Sequence, residues 1–377
     1  MSDRRARVAL SRLSEPGDVR LATVVARLGA STVYGMLREE QDVAGVYTDV
    51  AARLRGLDPE GDLERATAQG IRFLCPGDPE WPLPVDDLEV AEPLQQRGGA
   101  PLGLWVKGPL RLDEAARRAV AVVGSRSATT YGAGVASEMA AHLAEAATTV
   151  VSGAAFGIDQ AAHRGALAVK GPTVAVLACG VDRVYPSAHR NLLEYIADTG
   201  LVVSELPPGC APTRVRFLAR NRLIAALSRG TVVVEAAARS GALNTANWTS
   251  RLNRVLMGVP GPVTSAPSEG VHELIRSRGA ALVTRGEDVL ELVSPSGSFL
   301  AEPVRGPERP EDLLTDRERQ VLDAVPVAMP ACLDSLARAA GIAIREVPTA
   351  VQRLLELGLV EQGPGGWRRA ATVTGGG

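Results

Sequence analysis

The 377-residue sequence is poor in cysteine, and the few cysteines are scattered. They stand at Cys75, Cys179, Cys210 and Cys332, without a CxxC pair and without a histidine at ligand spacing beside them. This arrangement disfavours both a disulfide framework and a zinc site. We therefore expect a protein of the reducing cytoplasm that carries no metal and no other cofactor.

Long apolar stretches are missing as well. No run reaches the ~18–20 apolar residues that a membrane-spanning helix needs. The first residues, MSDRRARVALSRLSEPGD, lack the apolar centre of a secretory signal peptide. We expect no membrane partner.

Aromatic side chains and excess charge of one sign are scarce too. Aromatic residues make up 3% of the chain, and its formal net charge is −2. Such a chain has no general attraction for polyanions, so any nucleic-acid site must be a local patch. Because few aromatic rings are available to stack on bases, contacts with phosphates should dominate the affinity of that patch.

The sequence does have a regular alternation of apolar runs and helical segments between residues 118 and about 293. Nearly continuous runs of Val, Ile, Leu and Ala are typical of parallel strands that are buried on both faces. The runs lie at 119–125, 148–154, 173–180, 200–206, 230–236 and 255–261. The pattern predicts an α/β fold with an extended, Rossmann-like, doubly wound and mainly parallel sheet.

Other segments flank this region. Apolar residues at helical spacing predict a small helical domain over residues 1–70, and the sheet domain with its turn-rich connector spans 71–295. A stretch rich in Pro, Gly, Ser and charge predicts a linker at 296–312. Residues 313–370 show three helical patterns and a short hairpin, which suggest a winged-helix domain.

Polar loops follow several of the predicted strands, where ligands of open parallel sheets bind. In VVGSRSATTYG, Gly124 and Ser125 lead to a helix whose free N–H groups suit a phosphate, and Arg126 could add a charged contact. A tight turn with a solvated arginine is the alternative. The usual GxGxxG pattern is absent, which disfavours NAD binding.

The second loop, VVSGAAFGID, has little side-chain bulk. The Ser152 hydroxyl and the exposed amides around Gly153 and Gly157 could hold a phosphate oxygen. We expect Asp159 to cap the next helix, and His163 on that helix to be structural.

The third stretch, RFLARNRLIAALSRG, gathers positive charge beside an aromatic residue. Helical spacing places Arg220 toward the core, where it needs an anion, while Arg222 points elsewhere. That anion could be Glu205 or a bound phosphate. Phe217 is expected in a loop before the helix, either as a hydrophobic staple or as a platform for a base.

The fourth loop lies in EAAARSGALNTANWTSRLNRV. Glu235 ends a strand, and Arg239, Ser240 and Gly241 form the loop. Asn244 then opens a helix whose arginines could simply face solvent.

These four motifs, in this order, resemble the DNA-processing protein A family, called DprA or Smf. The resemblance covers residues 100–293 and extends more loosely to N-terminal helices like the family's SAM-like domain and to the C-terminal winged helix. It implies a homodimeric protein, not an enzyme, that binds and protects incoming single-stranded DNA. It also implies a protein that loads RecA recombinase during natural transformation.

The resemblance implies a DNA pocket built from the motif residues. The candidate DNA-binding residues are Gly124, Ser125, Arg126, Ser152, Gly153, Ala155, Phe156, Gly157, Arg214, Phe217, Arg220, Asn221, Arg222, Ser240 and Gly241. Three positions depart from the family's pattern: Leu218 replaces a proline that would brace Phe217, Arg214 replaces a more frequent lysine, and Asn244 replaces an apolar residue.

Two other functions stay open at this point. A nucleotide-processing enzyme, of the kind that releases the base from nucleoside monophosphates, would use Glu205 and Glu235 as its carboxylates. A duplex-DNA reader would use the winged helix, but its predicted helices are not notably basic. We expect the C-terminal unit to serve protein interaction or dimerisation instead.

Overall fold

The computed structural model describes residues 1–42, 45, 53–54, 56–300 and 309–370. The chain divides into two compact units, Met1–Ala301 and Glu302–Gly377. The division falls within the predicted linker, of which residues 301–308 lie outside the described residues. Among the described residues, no helix combines the length and apolarity that crossing a bilayer requires.

The first unit begins with short helices, as their apolar spacing predicts. Leu10, Leu13, Leu21 and Leu37 pack together in one buried cluster. The Asp18 carboxylate, after the SEPG break, accepts hydrogen bonds from the first N–H groups of the second helix and so starts it. The described helices are α1 (Asp3–Leu13), α2 (Val19–Leu28), α3 (Ala30–Arg38) and α4 (Pro59–Ala68).

A nine-stranded sheet forms the centre of this unit. Its strand order is β1-β2-β6-β5-β4-β3-β7-β8-β9. The seven strands from β6 onward in this order pair in parallel. At the other edge, β1 pairs with β2 and β2 pairs with β6, both antiparallel. The strands are β1 (Ile71–Leu74), β2 (Leu104–Lys107), β3 (Ala119–Val123), β4 (Thr149–Ser152), β5 (Thr173–Val176), β6 (Leu201–Ser204), β7 (Gly230–Val233), β8 (Val255–Gly258) and β9 (Ala281–Leu282).

Helices cover both faces of the sheet, which explains why the central strands are apolar throughout. One apolar layer contains Leu223 and Trp248, and the other contains Met139 and Ala162. The helices are α5 (Leu112–Arg117), α6 (Thr130–Glu145), α7 (Ile158–Ala168), α8 (Arg190–Thr199), α9 (Arg214–Ala226), α10 (Ala242–Arg251), α11 (Ala266–Ser277) and α12 (Gly286–Val293), with 3-10 turns at Leu83–Glu89 and Ser187–His189.

The strand order reverses between β3 and β7. From β3 the chain builds outward through β4, β5 and β6, and α9 then carries it back to β7 on the other side of β3. A crevice therefore opens beyond the carboxyl ends of β3 and β7, where doubly wound folds bind their ligands.

The second unit has its own core, which includes Val321, Leu336 and Leu354. Thr315 and Glu318 form a reciprocal capping box that starts its first helix. Its elements are a 3-10 turn (Pro310–Leu313), α13 (Asp316–Ala324), α14 (Leu333–Ala340), a second 3-10 turn (Ile344–Glu346), α15 (Val347–Glu356), β10 (Val360–Gly363) and β11 (Gly366–Arg369), the last two paired as an antiparallel hairpin.

The α/β fold class is confirmed, and all six apolar runs contain parallel strands. The sequence pattern did not predict β1, which carries the polar Arg72, or β9, which is only two residues long.

Candidate nucleic-acid interface

An open cleft of about 1120 Å³ lies at the switch point of the sheet. Loops after β3, β4, β5 and β7 and the first turns of α9 and α10 form its walls. Ten of the fifteen candidate residues line it: Gly124, Ser125, Arg126, Ala155, Arg214, Phe217, Arg220, Asn221, Ser240 and Gly241. Residues far apart in sequence thus meet in one site, as the strand-end argument predicts.

Helix α9 supplies the largest share of the basic and aromatic groups. It begins at Arg214 because the Thr213 hydroxyl accepts a hydrogen bond from the Arg216 N–H. The prediction that Phe217 precedes the helix is wrong, since Phe217 lies in its first turn. Consequently Arg214, Phe217 and Asn221 share the face of α9 that lines the cleft.

Arg220 lies at the buried end of this face. Its Nη1 donates to the Val176 carbonyl at 2.7 Å, and its side chain lies against Gly153, where a Cβ would come within 1.8 Å of Nη1. Burial is the main reason why the pKa of Arg220 falls to about 10, so the group stays charged at neutral pH. Gly153 is therefore needed for close approach rather than for phosphate contact.

Asp159 does not have the expected capping role, because helix α7 starts one residue earlier and Gly157 occupies its N-cap. Its buried carboxylate instead accepts hydrogen bonds from the N–H groups of Gly153 and Ala155, at 3.2 and 3.4 Å. Burial raises the pKa of Asp159, and the nearby charge of Arg220 opposes that rise. Asp159 thus fixes the glycine-rich loop that lies beside Arg220.

Phe217 is half-buried beneath positive charge. The Arg126 guanidinium carbon lies 4.9 Å from its ring centroid, and that of Arg220 lies 5.9 Å away. Such cation–π contacts hold both guanidinium groups beside the ring. The loop after β3 and helix α9 therefore present one combined charged and aromatic surface.

The cleft keeps an excess of positive charge. Arg126, Arg214 and Arg239 are exposed, and none has a carboxylate partner in the part of the chain that the structure describes. Arg278 also lines the cleft and hydrogen-bonds to the amide of Asn247. Positive groups without carboxylate partners are available to an external anion.

The floor of the cleft carries amide groups. The Asn221 side chain donates to Asn244 Oδ1 at 3.2 Å and to the Gly241 carbonyl at 3.4 Å. Asn244 in turn donates to Gln95 at 3.5 Å. Asn244 thus orients Asn221 through a hydrogen bond that an apolar residue could not make.

Five candidate residues do not line the cleft: Ser152, Gly153, Phe156, Gly157 and Arg222. The expectation that the Ser152 hydroxyl is open to a phosphate is wrong, because it is fully buried and donates to the Val122 carbonyl at 2.7 Å. Phe156 is exposed and packs edge-on against His189. At Gly157 φ is +77°, and a Cβ would meet the Ser125 carbonyl at 2.3 Å.

Arg222 is fully buried on the other side of α9 and faces the N-terminal helices. Its Nη2 bonds both carboxylate oxygens of Glu205, at 2.7 and 2.8 Å, and its Nε lies 3.2 Å from the position of a Cβ on Gly17. Of the two anions considered for Arg220, Glu205 or a bound phosphate, Glu205 is therefore excluded, because it pairs with Arg222. Arg222 is placed for structure, not for contact with a ligand in the cleft.

Glu235 takes the place that was expected for a phosphate at the start of α6. Its carboxylate accepts hydrogen bonds from the Thr129 N–H at 3.0 Å and the Thr129 hydroxyl at 2.5 Å. Gly132 makes room for it, since a Cβ there would lie 2.3 Å from the carboxyl carbon. An acidic side chain at a helix N-terminus is stabilising, so this terminus is already satisfied.

Sequence patterns missed several residues that line the cleft, including Tyr185, Gln95 and Arg278. Tyr185 belongs to the loop after β5, and its ring centroid lies 5.5 Å from that of Phe217. One signal was present: Tyr185 follows an apolar strand-forming run, as the other cleft loops do. Gln95 lies in the connector, for which sequence gave no position.

Comparisons with known proteins identify the family of this chain. The family model described as DNA recombination-mediator protein A matches residues 72–294. A DprA protein of Mycobacterium tuberculosis is 44% identical over 366 residues, which cover 97% of this chain and 94% of that relative.

Two solved structures are similar as well. DNA processing protein A from Streptococcus pneumoniae gives a TM-score of 0.63 at 30% identity. The match covers 78% of this chain and 99% of that protein's chain. The second is DNA processing protein A from Helicobacter pylori, whose structure was described for its single-stranded DNA binding mode. It gives a TM-score of 0.50 at 27% identity, and the match covers 59% of this chain and 94% of that protein's chain.

Proposed function

The chain belongs to the DNA recombination-mediator protein A family, also called DprA or Smf, and on that premise we propose that it binds single-stranded DNA in the cleft at the switch point. The phosphates lie against Arg126, Arg214, Arg220 and Arg239. The observation that supports this most is that three exposed arginines without carboxylate partners among the described residues, Arg126, Arg214 and Arg239, line one cleft of a chain whose net charge is −2. Unpaired positive charge in an acidic protein favours one local polyanion site.

Beyond DNA binding, we propose that the protein protects incoming single strands and loads RecA recombinase onto them during transformation. It acts in the cytoplasm as a homodimer. The support is membership of the family. The direct test is whether the purified protein shields single strands from nuclease and shortens the lag of RecA filament formation on them.

DNA binding itself is tested by fluorescence anisotropy with a labelled single strand. Because counterions are released from each neutralised phosphate, the log–log plot of affinity against salt should fall by about 0.7 per phosphate. Arg126→Ala should weaken binding roughly tenfold and flatten that slope by about 0.7, since it removes one charge-assisted contact.

Arg164→Ala is the matched control. Arg164 is also exposed and without a carboxylate partner among the described residues, but it lies on α7 outside the cleft lining. This variant should bind like the unmodified protein. Equal affinity for duplex and single strand, or equal effects of the two substitutions, would contradict the proposal.

The alternative of a nucleotide-processing enzyme has less support. Glu205 is paired with Arg222 behind α9, and Glu235 is committed to the start of α6. Among the described residues that line the cleft, the one carboxylate is Asp159, which is buried and holds a loop. Incubation with nucleoside monophosphates should release no free base.

A further inference from the structure

Tyr185 is the more open of the two aromatic residues that line the cleft within the described chain. It is 44% exposed, whereas Phe217 is half-buried. A base can stack only on a ring whose face is accessible, and each such contact adds substantially to the binding of single strands. Exposure therefore favours Tyr185 over Phe217 as the surface that a base meets first.

The surroundings of Phe217 lead to the same conclusion. Two guanidinium carbons lie within 6 Å of its ring centroid, those of Arg126 at 4.9 Å and Arg220 at 5.9 Å, and the Tyr185 ring lies 5.5 Å away at 53°. Phe217 thus already carries two cations and one ring as neighbours. It is well placed to support these groups and poorly placed to accept a base as well.

Tyr185 is held on a tethered loop. The N–H of Gly209 bonds the Asp182 carboxylate at 2.9 Å, and the N–H of Gly180 bonds the Cys210 carbonyl at 3.0 Å. Beyond Tyr185, His189 donates from Nδ1 to the Ala154 carbonyl at 3.0 Å. Contacts on both sides of the ring position thus reduce the conformational entropy that stacking would cost.

We propose that Tyr185 is the base-stacking platform of the cleft and that Phe217 supports it and the arginines beside it. This inference rests on the proposed binding of single-stranded DNA and narrows the ligand class. The site takes a strand whose bases are unpaired and accessible, with a phosphate beside Arg126, rather than any polyanion of sufficient charge. A paired base cannot stack on Tyr185 without leaving the duplex.

The test compares two labelled oligonucleotides of equal length, an oligothymidylate and a strand of the same backbone with abasic sites. The unmodified protein should bind the oligothymidylate roughly tenfold more tightly, which corresponds to one stacked base. Tyr185→Ala should lose that preference while keeping its affinity for the abasic strand. Tyr185→Phe should retain the preference, because it keeps the ring.

Tyr195→Ala is the matched control, since Tyr195 is 49% exposed on α8 but does not line the cleft. It should behave like the unmodified protein. Thermal unfolding of each variant shows whether it is folded. A photocross-link from 5-iodouracil in the strand should map to Tyr185.

The outcomes separate this inference from the function on which it rests. If Tyr185→Ala keeps the preference for thymidine, or if the cross-link maps to Phe217, the platform assignment is overturned while DNA binding stands. If the unmodified protein binds neither strand, or if Arg126→Ala has no effect, the proposed function itself fails.

Discussion

At the scale of single residues, Gly153 controls the position of Arg220. The motif suggested a glycine that bares its amide to phosphate, but the N–H bonds Asp159 and the missing side chain makes room for a guanidinium. The sequence pattern could identify the glycine but not why a side chain is excluded there. The excluding group, Arg220, lies on a helix more than sixty residues later. Close approach to a distant side chain leaves no local signal.

Gly153→Ala should reduce single-stranded DNA affinity roughly tenfold and lower the unfolding free energy by about 1–3 kcal/mol. The added methyl would lie 1.8 Å from Arg220 Nη1 and must push the guanidinium from the Val176 carbonyl. Anisotropy and urea unfolding measure the two effects.

The matched control for this change is Gly134→Ala. Gly134 is exposed to solvent and lies within α6, away from its ends. A Cβ added there would have no neighbouring atom within 4 Å. This substitution should leave DNA affinity unchanged and raise stability by about 0.5–1 kcal/mol, because alanine favours helices. Unchanged DNA affinity in Gly153→Ala would mean that Arg220 does not need its present position.

At the scale of elements, helix α9 joins the cleft to the N-terminal helices. One side presents Phe217 and Arg220 to the cleft, while Arg216 pairs with Glu15 and Arg222 pairs with Glu205. The sequence predicted a helix here and separated Arg220 from Arg222 by their spacing. It could not assign the ion-pair partners, because these depend on where α1, α2 and β6 pack.

Other elements show the same limit. Continuous apolar runs identified the central parallel strands, because a strand that is buried on both faces is apolar at nearly every position. The start of α9 was placed too late, because arginines alternate with Val215 and Phe217 in its first turn, and only the Thr213 cap marks its beginning. The antiparallel edge of the sheet depends on pairing between β1, β2 and β6, which periodicity does not report.

Glu205→Gln should lower the unfolding free energy by about 3–5 kcal/mol. It removes the counter-charge of Arg222, whose side chain is fully buried and whose Nε and Nη1 already lack partners among the described residues. Glu15→Gln provides a control for a second ion pair of the same helix. Its partly exposed pair with Arg216 should contribute at most about 1 kcal/mol. Urea unfolding that gave equal losses would show that Arg222 is not held by Glu205.

At the scale of the whole molecule, a mildly acidic chain places three exposed arginines without carboxylate partners among the described residues, Arg126, Arg214 and Arg239, in one cleft. All described residues that line the cleft belong to Met1–Ala301. In the second unit, many arginines are neutralised within the unit. Its ion pairs are Arg317–Glu346, Arg338–Asp334, Arg353–Glu356, Arg368–Glu361 and Arg369–Asp323.

A chain ending at residue 301 should therefore keep its single-stranded DNA affinity within about twofold and keep its salt slope, since the number of neutralised phosphates is unchanged. The 310–377 fragment, which contains the second unit's apolar core, should not bind duplex DNA at physiological salt, because few of its arginines are free to contact phosphates. Anisotropy with single-stranded and duplex oligonucleotides measures both. A tenfold loss in the shortened chain would assign part of the DNA surface to the second unit, and duplex binding by the fragment would make that unit a DNA reader rather than an interaction module.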